Sequence, residues 1–108
     1  MQAIRSISPV EYAIRRQAGD PAVLIDVREP WEFEIAHIDG ALLLPLDEIH
    51  TWAAELDRDK SYVLVCHYGV RSALACRILQ ALGFSDVVNL DGGMDAWALF
   101  VDPSVRRY

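Results

Sequence analysis

The sequence predicts an α/β fold in which a parallel sheet carries helices on both faces. Short apolar runs rich in branched residues alternate along the chain with segments of helical pattern, an order that is typical of parallel βαβ units. Hydrophobic residues make up 53% of the 108 positions and charged residues 24%, which argues against disorder. A chain of this length is expected to form one domain over residues 1–108.

The first helix is marked at both of its ends. Ser8 suits the N-cap, Pro9 the first helical position and Gly19 the end, so a helix is predicted across "VEYAIRRQAG". The run "AVLIDV", residues 22–27, is short, apolar and β-branched and predicts a buried strand. Pro30 then opens one or two helical turns in "EPWEFEIAHIDGA".

The rest of the chain continues the alternation. "LLLPL" predicts a short strand that ends at Pro45, and Asp47 is predicted to cap the amphipathic helix "DEIHTWAAELD". The strand "SYVLVC", residues 61–66, leads through a loop to a helix over about residues 71–82. "DVVNL" predicts a further strand, and a short helix begins near Gly93.

Charge and composition exclude several classes of function. Ten Lys and Arg against sixteen Asp and Glu give a net charge of −6, so nucleic acid is not expected as a partner. No apolar run reaches the ~20 residues that span a bilayer. The segment "MQAIRSISPVEY" also lacks a signal-peptide layout, so we expect a cytoplasmic protein without a membrane partner. Two cysteines and three scattered histidines predict free thiols and no metal or other cofactor.

A single cysteine stands where a predicted strand meets a predicted helix, in "VLVCHYGVRSALACRIL". A tight loop there turns backbone N–H groups toward its own centre, and with the positive end of the helix dipole these groups favour an anion such as a thiolate at Cys66. Gly69 suits a positive φ, and Arg71 can offer a planar cation to an oxyanion. The alternative is that Cys66 is a small hydrophobic residue at a buried strand end.

Three stretches carry a resemblance to a known family. "CHYGVRS", residues 66–72, resembles the active-site loop of rhodanese-like sulfurtransferases. Residues 24–46 resemble the first signature of that family, and "NLDGGMDAW", residues 89–97, resembles its C-terminal segment. The match runs from about residue 4 to residue 100, with departures at Ala36 and Asp39 in a structural turn. The chain is identified as a member of the single-domain form of the family.

The resemblance implies a fold and a reaction. The fold is a three-layer one, with a central parallel sheet of about five strands and helices on both faces. Cys66 would attack the outer sulfur of a donor such as thiosulfate, hold it as a persulfide, and pass it to cyanide, a small thiol or a sulfur-accepting protein. Arg71 would help to hold the donor's oxyanion. The residues implied to bind the substrate, chiefly through backbone N–H groups, are His67, Tyr68, Gly69, Val70, Arg71 and Ser72.

Other polar residues are assigned supporting roles. Asp26, Arg28 and Glu29 follow a buried strand, where charges need partners, and are predicted to form a network that supports the loops rather than to act in catalysis. His67 either orients and partly protonates the donor or points to solvent. Tyr68 is predicted to rim the pocket.

The remaining residues are given structural or incidental roles. The core stripe predicted for the helix after the loop consists of Leu74, Ala75, Ile78, Leu79 and Leu82. It leaves Cys76 at the edge of the solvent face, and Cys76 is too far along the helix for a disulfide with Cys66. His37 is predicted to be a structural hydrogen-bonding residue and His50 a solvated one. Core or half-buried packing is predicted for four aromatic residues, Trp31, Phe33, Trp52 and Trp97.

Two alternatives to sulfur transfer remain open. Related phosphatases and arsenate reductases have five residues between the loop cysteine and arginine, whereas four residues separate Cys66 from Arg71. The shorter loop makes a smaller cradle, which suits one sulfur atom better than a phosphate. The second alternative is a non-catalytic binding or regulatory module, although many such modules have lost the cysteine that this chain keeps.

Overall fold

Five parallel strands form one sheet in the order β1-β5-β4-β2-β3. The computed structural model describes residues 3–108, and Met1 and Gln2 lie outside the described residues. The strands are β1 (Arg5–Ile7), β2 (Val23–Asp26), β3 (Leu42–Leu43), β4 (Ser61–Val65) and β5 (Asp86–Leu90). The predicted parallel sheet is confirmed. β1 was not predicted, because three residues are too few to show a strand pattern.

Within residues 3–108, four α-helices connect consecutive strands and a fifth follows β5. They are α1 (Pro9–Gln17), α2 (Pro30–Ile35), α3 (Ile49–Ala53), α4 (Val70–Ala81) and α5 (Gly93–Phe100). Ser8 caps α1 as predicted, since its Oγ accepts a hydrogen bond from the Glu11 amide at 3.2 Å. The predicted cap at Asp47 is wrong: this residue lies inside a 3₁₀ turn, Leu46–Glu48, which precedes α3. The prolines at the first positions of α1 and α2 start both helices as expected.

Helices cover both faces of the sheet, as predicted. Alternate residues of each strand face opposite sides, so β2 and β4 each contribute to two cores. Leu24 and Val63 pack with the side of α1 and α5, and Ile25 and Leu64 pack with the side of α3 and α4. The result is the three-layer α/β architecture. No helix within residues 3–108 has the length and apolar character needed to cross a membrane.

The carboxyl ends of three strands meet at one edge of the sheet. Asp26 at the end of β2 pairs in register with Val65 at the end of β4, and Leu64 pairs with Asn89 near the end of β5. Cys66, the residue after β4, therefore lies between the ends of two neighbouring strands. This edge is where open α/β sheets form their sites.

Helix α4 has a different buried face from the predicted one. Cys76 is fully buried, so its predicted place at the edge of the solvent face is wrong, and Leu74 of the predicted core stripe is 47% exposed. The residues that α4 buries are Ser72, Ala75, Cys76 and Leu79. The first turn of α4 must bring Ser72 to the sulfur of Cys66, and this contact fixes the rotation of the helix.

The aromatic residues follow the predictions with one exception. Trp52 and Trp97 are each 7% exposed and belong to the two cores, and Phe33 is half-buried. Trp31 is 59% exposed, so its predicted packing role is wrong. It follows Pro30 in the first turn of α2, and its ring forms an edge-to-face pair with the ring of Tyr108, with centroids 6.0 Å apart.

Candidate active site

Cys66 lies at the centre of the site, directly after the central strand β4. It is 1% exposed, and its Sγ lies within hydrogen-bonding distance of three groups that can donate to it. These are the amide of Gly69 at 3.1 Å, the amide of Ser72 at 3.3 Å and the Oγ of Ser72 at 3.2 Å. The sulfur therefore takes the place that a capping oxygen has at the start of a helix, where unpaired N–H groups and the helix dipole favour an anion.

The backbone of Gly69 makes this geometry possible. Gly69 has φ +99°, the positive value that its position in the loop predicts, and it is the N-cap of α4. A side chain in this conformation would be strained. A Cβ there would also lie 3.3 Å from the backbone nitrogen of Gly92. The loop is therefore narrow enough to hold the sulfur against the first turn of α4.

Helix α5 holds the loop from the opposite side. The amide of Met94 donates to the carbonyl oxygen of Cys66 at 2.8 Å, and the amide of Asp95 donates to that of His67 at 3.0 Å. These bonds tie the carbonyl oxygens of Cys66 and His67 to the first turn of α5. Gly93 has to be a glycine here, because a Cβ would lie 2.5 Å from the carbonyl oxygen of His67.

Arg71 is bound to a carboxylate that the sequence did not indicate. Its Nη1 and Nη2 donate to the two carboxylate oxygens of Glu32 at 2.6 and 2.8 Å. The hydrogen bonds from Arg71 lower the pKa of Glu32 to about 2 and in turn raise the pKa of Arg71. Because both terminal nitrogens of Arg71 are paired with Glu32, this ion pair joins the start of α4 to α2. The contact of Arg71 with a donor oxyanion, which the family resemblance implies, stays a prediction.

A buried chain of polar contacts continues from Glu32 to the end of β2. Tyr108 donates to Glu32 Oε2 at 2.7 Å and accepts from Arg28 Nη1 at 2.9 Å. Arg28 and Asp26 are both fully buried, and Arg28 Nη2 donates to Asp26 Oδ2 at 2.7 Å. Burial raises the pKa of Tyr108 to about 12, so its hydroxyl keeps its proton.

The predicted supporting residues therefore differ in their surroundings. Asp26 and Arg28 lie inside this chain of contacts, whereas Glu29 is exposed and joins through its backbone amide, which donates to Glu32 Oε1 at 3.0 Å. That all three support the loop remains a prediction.

The ring of His67 lies between two tyrosine rings. The ring centroids of Tyr68 and Tyr108 are 3.9 and 4.0 Å from that of His67, and both pairs are stacked. Burial lowers the pKa of His67, so the imidazole is neutral at neutral pH. Tyr68 is 61% exposed and Val70 is 78% exposed, so both lie on the outer surface of the loop.

Three residues of this site were missed by sequence reasoning. Glu32 lies 39 positions from Arg71, and Tyr108 lies 76 positions from Glu32, so only the fold brings these residues to the site. Asn89 lies behind the loop, where its Nδ2 donates to the Gly69 carbonyl oxygen at 3.1 Å. Asn89 could have been predicted from the sequence, because it is a polar residue inside the apolar strand "DVVNL" and a buried amide needs hydrogen-bond partners.

Other predicted residues take structural places. His37 Nδ1 lies 2.9 Å from the carbonyl oxygen of Phe33, and His50 is exposed. Both cysteines are free thiols, and burial raises the pKa of Cys76 to about 12. Within residues 3–108 no group of three or more His, Cys, Asp or Glu side chains could hold a metal ion.

Comparisons with known proteins agree on one family. The family model described as "Rhodanese-like domain" matches residues 9–99. Thiosulfate sulfurtransferase GlpE of Pseudomonas syringae is 39% identical over 97 residues, which are 90% of each chain. Probable adenylyltransferase/sulfurtransferase MoeZ of Mycobacterium tuberculosis is 43% identical over 105 residues, 95% of this chain, which spans only 27% of MoeZ.

Solved structures show the same fold. The crystal structure of a rhodanese-like domain protein from Staphylococcus aureus superposes with a TM-score of 0.84 at 32% identity, covering 97% of this chain and 99% of that one. The predicted three-layer fold and the resemblance stated from the sequence motifs are both confirmed. Because the family model matches most of the length of the chain, the chain belongs to the family of rhodanese-like domains.

Proposed function

We propose that the protein is a sulfurtransferase that carries sulfane sulfur as a persulfide on Cys66. The thiolate attacks the outer sulfur of a donor such as thiosulfate, the S–S bond of the donor breaks, and sulfite leaves with the bonding electron pair. A thiophilic acceptor, cyanide or a thiolate, then attacks the outer sulfur of the persulfide and returns Cys66 as a thiolate. Each step exchanges one nucleophile for another, so no external oxidant is needed.

The observation that carries this proposal is the set of donors around the sulfur. Two amides and one hydroxyl lie 3.1–3.3 Å from Cys66 Sγ, which is otherwise enclosed by the loop. A free cysteine that only fills space does not need three donors, whereas an anionic sulfur does. The same donors would stabilise the thiolate between turnovers and the persulfide within them.

The relatives support the substrate class. GlpE is named a thiosulfate sulfurtransferase, and the chain covers 90% of its length. MoeZ is named a probable sulfurtransferase that also has an adenylyltransferase part, which supports a sulfur-accepting protein as the alternative acceptor. We also propose a cytoplasmic location, because the two free thiols suit a reducing compartment.

The test is intact-mass analysis after incubation with thiosulfate and removal of the excess. The wild-type chain should gain one sulfur atom, and Cys66→Ser should gain none. Cys76→Ala is the matched control: it removes the other thiol, buried in α4, and should still gain the sulfur. Addition of cyanide should return the loaded protein to its original mass with release of thiocyanate.

The alternatives predict different outcomes. Hydrolysis of p-nitrophenyl phosphate that depends on Cys66, without any gain of sulfur, would indicate a phosphatase. No gain of sulfur from thiosulfate or from a second sulfane donor would indicate a binding module. An equal gain of sulfur in Cys66→Ser would mean that Cys76 is the carrier and that Cys66 is assigned wrongly.

A further inference from the structure

A buried amide lies behind the cysteine loop. Asn89 belongs to β5 and is 6% exposed, and its Oδ1 lies 2.5 Å from the Oγ of Ser72. The same Ser72 oxygen lies 3.2 Å from Cys66 Sγ. The three side chains form a row in which Ser72 links the amide to the sulfur.

The direction of the hydrogen bonds follows from the second partner of the amide. Asn89 Nδ2 lies 3.1 Å from the carbonyl oxygen of Gly69, which can only accept a hydrogen bond. The amide nitrogen must therefore face Gly69, and Oδ1 must face Ser72 and accept its proton. A serine hydroxyl has one proton, so Ser72 cannot donate to Oδ1 and to the sulfur at the same time. The shorter contact, to Asn89, holds the proton while the sulfur is a thiol.

The two protonation states of the sulfur make opposite demands on Ser72. A neutral Cys66 thiol can donate its S–H to the lone pair that the Ser72 oxygen turns toward it. A thiolate has no proton to donate and needs donors instead. Its backbone donors are the amides of Gly69 and Ser72, and the Ser72 hydroxyl can join them only if its hydrogen bond to Asn89 breaks. Hydrogen bonds to charged acceptors are about twice as strong as neutral ones. A negative sulfur can therefore compete with the amide oxygen for the Ser72 proton.

We propose that Asn89 is a positioning residue that competes with Cys66 for the Ser72 hydroxyl proton and so sets how readily the thiol ionises. The hydroxyl donates to Asn89 beside the thiol and rotates to the sulfur beside the thiolate, while the thiol proton leaves to a base in solution. No covalent bond changes at Asn89 or Ser72. The inference rests on the proposed function only in taking Cys66 as the nucleophile.

The other charges near the sulfur stay in place when Asn89 or Ser72 is changed. Arg71, which interacts electrostatically with Cys66, is paired with Glu32. The titratable and charged groups that surround the site are Arg71 and Cys76 of α4, Glu32 of α2, His67 of the loop, Asp95 of α5, and Arg28 and Tyr108 from the polar chain. Differences between the variants below therefore report on the hydroxyl.

The test is the pH dependence of alkylation by iodoacetamide. Cleavage after Lys60 and Arg71 releases Cys66 in peptide 61–71 and Cys76 in peptide 72–77, so mass spectrometry follows each thiol separately. Asn89→Ala frees the hydroxyl for the sulfur, and the midpoint of the rate profile should fall by about half to one pH unit, a 3- to 10-fold gain in reactive thiolate. Ser72→Ala removes the proton and should raise the midpoint.

The double variant decides whether Asn89 acts through the hydroxyl. In the Ser72→Ala background, Asn89→Ala should add no further shift. An equal shift in both backgrounds would mean that Asn89 acts through the loop backbone at Gly69, and the proposal would be wrong. No shift in the wild-type background would overturn it as well. Alkylation needs no sulfur donor, so a failure of sulfur transfer leaves these outcomes readable.

A measurement on the wild-type protein covers the case in which Asn89→Ala does not fold. The ¹³Cγ chemical shift of Asn89 should change with pH at the same midpoint as the alkylation of Cys66, because the amide loses its hydroxyl donor there. The change should disappear in Ser72→Ala. A chemical shift that stays constant through the alkylation midpoint would refute the competition.

Discussion

The pair of Glu32 and Arg71 predicts a loss of stability in acid. The Glu32 side chain is 4% exposed, and the hydrogen bonds from Arg71 lower its pKa from 4.5 to about 2. A carboxylate whose pKa is lower in the folded state contributes stability above pH 4.5, and that stability is lost as the pH falls through about 2. The pKa difference corresponds to about 3 kcal/mol, reduced to ~2 kcal/mol because Arg71 is 36% exposed and screened by solvent.

Urea unfolding of Glu32→Gln at a series of pH values tests this directly. The variant should be about 2 kcal/mol less stable than the wild type at pH 7, and the difference should shrink below pH 4.5 and vanish near pH 2. Glu34→Gln, an exposed change on the same helix, is the matched control and should change the free energy of unfolding by less than about 0.5 kcal/mol. A Glu32→Gln loss that stays constant from pH 7 to pH 2 would show that the carboxylate charge is not what stabilises the pair.

Two further predictions concern the loop and the second thiol. In urea unfolding, Gly93→Ala should lower the free energy of unfolding by at least about 1 kcal/mol more than Gly19→Ala does. Both glycines have positive φ, but only at Gly93 does a carbonyl oxygen lie 2.5 Å from the added Cβ. Equal losses of stability in the two variants would contradict this reason. In the native protein at pH 8, Cys76 should resist iodoacetamide, because burial raises its pKa to about 12 and leaves almost no thiolate to react. Modification of native Cys76 as fast as in urea would contradict its buried place.

Local signals were enough to predict most of the fold and the centre of the site. The run "SYVLV" is apolar and β-branched, and the glycine and helical pattern that follow place Cys66 between a strand and a helix. Gly69 was predicted to adopt a positive φ, as it does, because only a glycine adopts positive φ at little cost. Such predictions succeed because the interactions that decide them span a few residues of the chain.

The rotation of α4 was predicted wrongly for a physical reason. Its apolar residues suggest a stripe centred near Leu82, whereas the buried face is centred near Ser72 and Leu79 and is rotated by roughly 80° at 3.6 residues per turn. Hydrophobicity alone favours the stripe with Leu74. The structure instead turns Ser72 inward, because its amide donates to Cys66 Sγ and its hydroxyl lies between that sulfur and Asn89. The site thus decides which face of the helix is buried, and Leu74 is left exposed as a consequence.

The partners of the loop could not be predicted, because the chain brings them together only after the sheet has formed. Glu32 is 39 residues from Arg71, and Tyr108 is 76 residues from Glu32. Asn89 reaches Ser72 because β5 lies beside β4, an adjacency that no local pattern specifies. The residues proposed to carry the chemistry can therefore be predicted from a short motif, whereas the residues proposed to tune it depend on strand order. A motif match alone thus predicts the nucleophile but not how readily it ionises, which is the property that the variants of Asn89 and Ser72 measure.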